Sequence, residues 1–201
     1  MSEIKETARA KATRAKRQQI VDAAMACFIE KGFHQSSMRT IASAAGVSLG
    51  NLYNHFENKD ALIAEIAALE AAEFSEYLKI LEDEPDALSA IQKLGDVYVE
   101  STSSAEGVAL TVEITAEVVR NPAIASGFAA NRIRLVRAIS SRLDSAKTLN
   151  QVAQEVDSEE AAQFILDVWE GVAFRIAVLD KPRADRAIAS ATHLIERCLR
   201  L

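Results

Sequence analysis

Between residues 37 and 59 the chain carries a close succession of hydrogen-bonding and cationic side chains, among them Ser37, Arg39, Thr40, Ser48, Asn51, Tyr53, Asn54, His55 and Lys59. These groups suit recognition of polar edges and anions by hydrogen bonds and charge. Their spacing pairs no nucleophile with a base. Elsewhere there is no phosphate-binding glycine loop and no metal-ligand spacing, and His34, His55 and His193 form no cluster with Cys27 and Cys198. The chain is therefore expected not to be an enzyme, and to need neither cofactor nor metal.

The elements that must hold these groups can be read from the same stretch. Ala42 is small enough for two helices to cross closely, and Gly46, four residues on, supplies a turn that tolerates positive φ. Ile41, Ala45, Val47 and Leu52 share the buried side. Ser48 is placed to cap a following helix by accepting from a free backbone N–H, and Asn58 is placed to cap the next one. The pattern predicts a helix-turn-helix whose second helix, Leu49 to Phe56, enters the major groove of DNA. Leu49, Gly50, Asn51 and Asn54 lie at or near its leading end. Asn51 and Asn54 can read base edges, Leu49 can meet a thymine methyl, and Gly50 allows close backbone approach.

The segments Thr40-Ile41-Ala42, Ala45-Gly46-Val47-Ser48 and Leu52-Tyr53-Asn54-His55-Phe56-Glu57-Asn58-Lys59-Asp60-Ala61-Leu62 resemble the TetR family of one-component transcriptional repressors. The resemblance covers roughly residues 14 to 62. It implies an all-α homodimer that binds double-stranded operator DNA through its N-terminal domain and releases it when a small molecule enters the C-terminal domain. It also implies that Tyr53 and His55 point toward phosphates, with Lys59 at the start of the fourth helix and Ser37, Arg39 and Thr40 at the start of the second. Phe56 is expected in the core.

Charge is divided along the chain. The formal net charge is −6, yet residues 1–60 hold nine Lys/Arg against six Asp/Glu. A basic end can approach phosphates while an acidic bulk stays away from them. Lys5, Arg9, Lys11, Arg14, Lys16 and Arg17 crowd the N-terminus, and residues 1–12 read as a basic tail. No apolar run reaches the roughly 18 residues needed to span a bilayer, and there is no hydrophobic signal segment. With both cysteines on apolar helix faces, they are expected to be buried thiols in the cytoplasm.

The 201 residues include only seven glycines and three prolines, and Pro85, Pro122 and Pro182 fall between periodic segments. This favours an all-α class with about nine helices: an N-terminal three-helix helix-turn-helix domain over 1–57 and a larger C-terminal bundle over 58–201. The first helix is predicted over 13–31, with Ile20, Ala24, Cys27 and Phe28 buried, and the fourth over 58–81. Further helices are predicted near 86–103, 107–120, 122–146, 158–179 and 183–200.

Asp157-Ser158-Glu159-Glu160 opens the eighth helix as a capping box. Its apolar stripe includes Phe164, Val168, Trp169 and Val172, and the ninth helix repeats the habit with Ile188, Ala191, Ile195 and Leu199. Both stripes read equally well as internal core, whereas the family resemblance implies that they meet a second copy as a four-helix bundle. For the small-molecule effector, Tyr98, Glu113, Glu117, Phe128 and Arg132 are the candidate contacts, and the Glu113–Glu117 pair would favour a cation. The alternative function is a helical DNA-binding or adaptor protein without an effector.

Overall fold

In a computed structural model, residues 8–179 and 181–200 are described. Among them are nine helices: α1 (Ala8–Lys31), α2 (Met38–Ala44), α3 (Leu49–Tyr53), α4 (Lys59–Asp83), α5 (Ala87–Thr102), α6 (Ala105–Arg120), α7 (Pro122–Thr148), α8 (Ser158–Ile176) and α9 (Lys181–Leu199). Of the basic tail, residues 1–7 lie outside the described residues, and residues 8–12 continue α1. The class is all-α.

Helix boundaries follow local chemistry. Ser37, Ser48, Asp86 and Asp157 are N-caps whose side chains accept from backbone N–H groups of the first turn. Asn58 does the same for α4, accepting from the Ala61 N–H at 2.9 Å. Each satisfies a donor that the helix itself leaves free. Gly32 and Gly46 end α1 and link α2 to α3 with φ of +78° and +62°, a region open to glycine at little cost. Pro122 begins α7, where its missing N–H is no loss.

The packing falls into two compact units. The first comprises the residues up to Ala68 together with Leu110–Ala125; the second comprises Leu69–Ala109 and the residues from Ser126 onward. The packing divides within α4, α6 and α7, whereas the expected division lies at residue 57. In the first unit Ile20, Val21, Ala24 and Phe28 of α1 are buried, as are Ile41 and Ala42 of α2, Leu52 of α3, Phe56, and Leu62 and Ile63 of α4. In the second unit α8 packs on α9 and α5. Its core runs from Phe74 and Tyr77 through Leu94, Tyr98, Leu135, Ile139 and Leu143 to Trp169, Ile195 and Leu199.

Candidate nucleic-acid interface

Ser48 Oγ accepts from the Asn51 N–H at 3.1 Å and sets the start of α3. The helix is shorter than the pattern suggested, because the N–H groups of His55 and Phe56 both turn back to the Leu52 carbonyl, each at 2.9 Å. This closing turn sends Phe56 into the core and brings Asn58 to the start of α4. Leu52 is the one buried residue of α3. Gly50, Tyr53 and Asn54 stand exposed, while Leu49, Asn51 and His55 are half-buried. The Asn51 Oδ1 is screened from solvent without a hydrogen-bond partner, an unmet acceptor on this helix.

At the start of α2, Ser37 Oγ lies 2.8 Å from Thr40 Oγ1 and accepts from the Thr40 N–H at 3.1 Å. Arg39 is exposed beside them. Lys59, expected to face phosphate, has its Nζ donating to the Phe33 carbonyl at 2.8 Å and 4.1 Å from the Phe33 ring centroid. Burial lowers its pKa, opposed by the nearby charges of Glu117 and Asp60. Its ammonium is used inside the unit.

The same Phe33 peptide is held from the other side. Its N–H donates to Glu113 Oε2 at 2.9 Å, and His34 Nε2 lies 3.2 Å from Glu117 Oε2. Ser36 Oγ lies 2.9 and 2.8 Å from the carbonyls of Cys27 and Gly32 and shares its one proton between them at the end of α1. Glu113 and Glu117 do share one helix face. That face belongs to the α1–α2 turn, whose Phe33 N–H and His34 imidazole take up the two carboxylates.

Residues 20–66 match the family of bacterial regulatory proteins, tetR family, and residues 91–200 match the C-terminal domain of BetI-type transcriptional repressors. The chain is 31% identical over 178 residues to the HTH-type transcriptional regulator UidR of Escherichia coli, covering 83% of this chain and 84% of that one. The chain belongs to the TetR family. This TetR-family protein is a helix-turn-helix transcriptional regulator and not an enzyme. It is also 26% identical over 186 residues to the HTH-type transcriptional repressor Rv1474c of Mycobacterium tuberculosis, covering 92% and 94% of the two chains. The solved structure of Salmonella enterica GusR superposes with a TM-score of 0.78 at 27% identity, over 98% of this chain and 100% of that one.

In the second unit of this TetR-family chain, Tyr98 and Arg132 belong to one polar cluster on an aromatic floor. Rings of Phe74, Tyr77, Tyr98 and Trp169 follow one another at centroid separations of 5.4, 5.8 and 6.0 Å. Arg132 donates to Glu170 at 2.6 Å and to Asp167 at 2.5 Å, and Asn131 donates to Glu70 at 2.7 Å. Tyr77 and Ser101 share a hydrogen bond of 2.7 Å. Phe128 is half-buried on α7. The sequence reading overlooked Glu70, Asn131 and Glu170, although each polar residue interrupts an otherwise apolar helix stripe.

Burial raises the pKa of Glu70 against the hydrogen bond from Asn131, with Glu73 and Glu170 adding to the rise; burial also raises Glu170. A carboxyl raised in the folded state binds its proton more tightly there than in the unfolded chain. Stability is therefore expected to increase as pH falls through the raised value. Glu70→Gln, which keeps an acceptor for Asn131, should raise the neutral-pH melting midpoint, by about 2–4 °C for each kcal/mol relieved, and flatten that dependence. Melting curves of the two proteins from acidic to neutral pH test this; a lower midpoint for the variant at neutral pH would contradict it.

The expected dimer residues divide into two sets. Trp169, Ile195 and Leu199 are buried in the chain's own core, and Ala191 is buried too, because α8 and α9 pack on each other and on α5. Phe164 is exposed; Val168, Val172 and Ile188 are half-buried. An open groove of about 280 Å³ beside Phe164 is lined by Ala161, Ile195 and Cys198. Cys198 is exposed rather than buried, since it lies on the outer side of α9; Cys27 is buried as expected. Among the described residues no helix is long and apolar enough to cross a membrane.

Proposed function

We propose that this regulator is a repressor that binds operator DNA as a homodimer and is released by a small molecule taken up in its C-terminal part, within residues 58–201. The observation that carries the DNA-binding part is α3 itself: capped by Ser48, anchored through Leu52, and presenting Gly50, Tyr53 and Asn54 together to solvent. Leu49, Gly50, Asn51 and Asn54 are assigned to base edges, and Ser37, Arg39, Thr40, Tyr53 and His55 to phosphates. Ser48 builds the helix start. Lys59 moves from phosphate contact to support of the Phe33 turn.

Repression accords with the repressor name of the mycobacterial relative. Homodimerisation is supported by the exposed Phe164 and Leu194 on α8 and α9, apolar surface that a second copy of the same face would cover. Two recognition helices would then read half-sites about one DNA turn or a multiple apart. The effector is assigned to the cluster of Tyr98, Arg132, Glu70, Asn131 and Glu170, where charged and polar groups border an aromatic floor. Phe128 stays with this assignment, while Glu113 and Glu117 leave it.

The test begins with duplexes selected from a random pool by the wild-type chain. Sedimentation should show two chains per duplex. Arg39→Ala should weaken binding to selected and scrambled duplexes alike and reduce the slope of log K against log salt by about one unit per subunit. A thermal-shift screen of cationic, neutral and anionic amphiphiles should yield a stabiliser that also dissociates the duplex. Failure to select any sequence would remove the DNA-binding reading. Selection without any such stabiliser would favour a regulator lacking an effector.

A further inference from the structure

Arg17 belongs to a run of cations that charge alone would send to the phosphate backbone. Its contacts lie elsewhere. Nε and Nη2 donate to Glu65 Oε1 and Oε2 on α4 at 2.8 and 2.7 Å, a two-pronged pair, and Nη1 donates to the His55 carbonyl at 2.8 Å. The guanidinium carbon also lies 4.1 Å from the centroid of the Phe56 ring. Three of the five N–H donors and one face of this planar cation are therefore engaged within the unit, while the side chain stays 38% exposed.

The location gives these contacts their meaning. The His55 carbonyl follows the last turn of α3, where backbone acceptors have no partner within the helix. Two residues along α1, Gln19 Nε2 donates to the Ala45 carbonyl at the end of α2, at 2.7 Å. Helix α1 thus holds the exits of both helices of the helix-turn-helix. A helix of five residues has little rigidity of its own, so its direction depends on what its two ends are tied to. Ser48 ties the first end, and Arg17 the second.

We infer that Arg17 is a positioning residue for DNA recognition: braced by Glu65 and stacked on Phe56, it holds the His55 carbonyl and so sets the angle at which α3 presents its reading side chains. Planarity matters here. A lysine can supply the charge but cannot make the two-pronged pair, the carbonyl bond and the ring contact together. The hydrogen bond between them raises the pKa of Arg17 and lowers that of Glu65. The inference rests on the DNA-binding reading above and adds the residue that aims the reader.

Glu65 supplies a test whose sign separates positioning from phosphate contact. Arg17→Gln, Arg17→Lys and Glu65→Gln would be titrated with a duplex selected by the wild-type full-length chain and with a scrambled duplex, at a temperature where circular dichroism shows each variant folded. For a positioning role, Arg17→Gln and Glu65→Gln both weaken the selected duplex by about tenfold, the equivalent of one misplaced base-edge contact. Binding of the scrambled duplex and the salt slope stay as in wild type, and Arg17→Lys fails to restore selectivity. If Arg17 contacts phosphate instead, Arg17→Gln lowers the salt slope and weakens both duplexes, while Glu65→Gln frees the cation and strengthens both. That pattern would overturn the inference. So would unchanged affinities in Arg17→Gln and Glu65→Gln, which would leave the pair a purely structural one. If Arg17→Gln does not fold, Glu65→Gln alone still gives opposite signs for the two roles. Should the wild type select no sequence, the DNA-binding reading itself fails, and that result is distinct from either outcome.

Discussion

Leu52→Ala is expected to abolish selective DNA binding and to destabilise the N-terminal unit by about 2–5 kcal/mol, the range for truncating a fully buried leucine. Leu52 is 0% exposed and is the single buried residue of α3. A five-residue helix cannot persist on its own hydrogen bonds, because nucleating a helix costs more than one turn returns. Removing the side chain therefore leaves α3 tied only through Ser48 at one end and the Arg17–His55 contact at the other. Leu52→Met, which keeps the volume, should cost less than about 1.5 kcal/mol and preserve binding. Denaturant titration and a mobility shift on a selected duplex check both variants. A folded alanine variant with wild-type affinity would show that α3 is held by its backbone contacts alone.

The second large effect is expected in the other unit. A Cβ at Gly95 would lie 2.6–2.7 Å from Cε2, Cζ2 and Nε1 of Trp169, closer than carbon atoms pack. Trp169 is 4% exposed and cannot swing aside freely, since Tyr98 stacks near it and Tyr77 and Phe74 follow. Gly95→Ala should therefore cost about 1–3 kcal/mol of overpacking and shift the fluorescence of the chain's only tryptophan. Gly171 provides the contrast. A Cβ there meets nothing within 4 Å, so Gly171→Ala on α8 should be neutral or stabilising, by up to about 1 kcal/mol from helix propensity. Equal stability of the two alanine variants would mean that α5 and α8 separate easily, contrary to their packing.

These residues differ in how visible they are to a reader of the sequence. Ser48, Asn58 and Gly46 act on backbone atoms one to three residues away, so residue type and spacing reveal them directly. Arg17 lies three residues before the buried Ile20, at the spacing that places it beside the core stripe of α1. That offset hinted at an inward contact, but the neighbouring cations masked it. Glu113 and Glu117 were legible as a shared face and illegible as to its partner. Their acceptor oxygens meet a peptide N–H and an imidazole some 80 residues earlier. Trp169 read as either internal core or dimer interface, and nothing near Gly95 announced that the indole would occupy the space of its missing side chain.

By itself the sequence determined an all-α chain with a helix-turn-helix, because periodicity, caps and the turn glycine are local properties that each segment carries wherever it packs; the regulator role came from the family resemblance of residues 14–62. The tertiary structure decided which ends of α3 are tied, that Lys59 serves Phe33, that Glu113 and Glu117 hold the α1–α2 turn, and that Glu70, Asn131, Arg132 and Glu170 meet over an aromatic floor. Those outcomes depend on pairings between distant segments. A helical pattern specifies the face a side chain occupies, but the partner across that face is chosen only when the helices pack and every buried donor and acceptor must find its match.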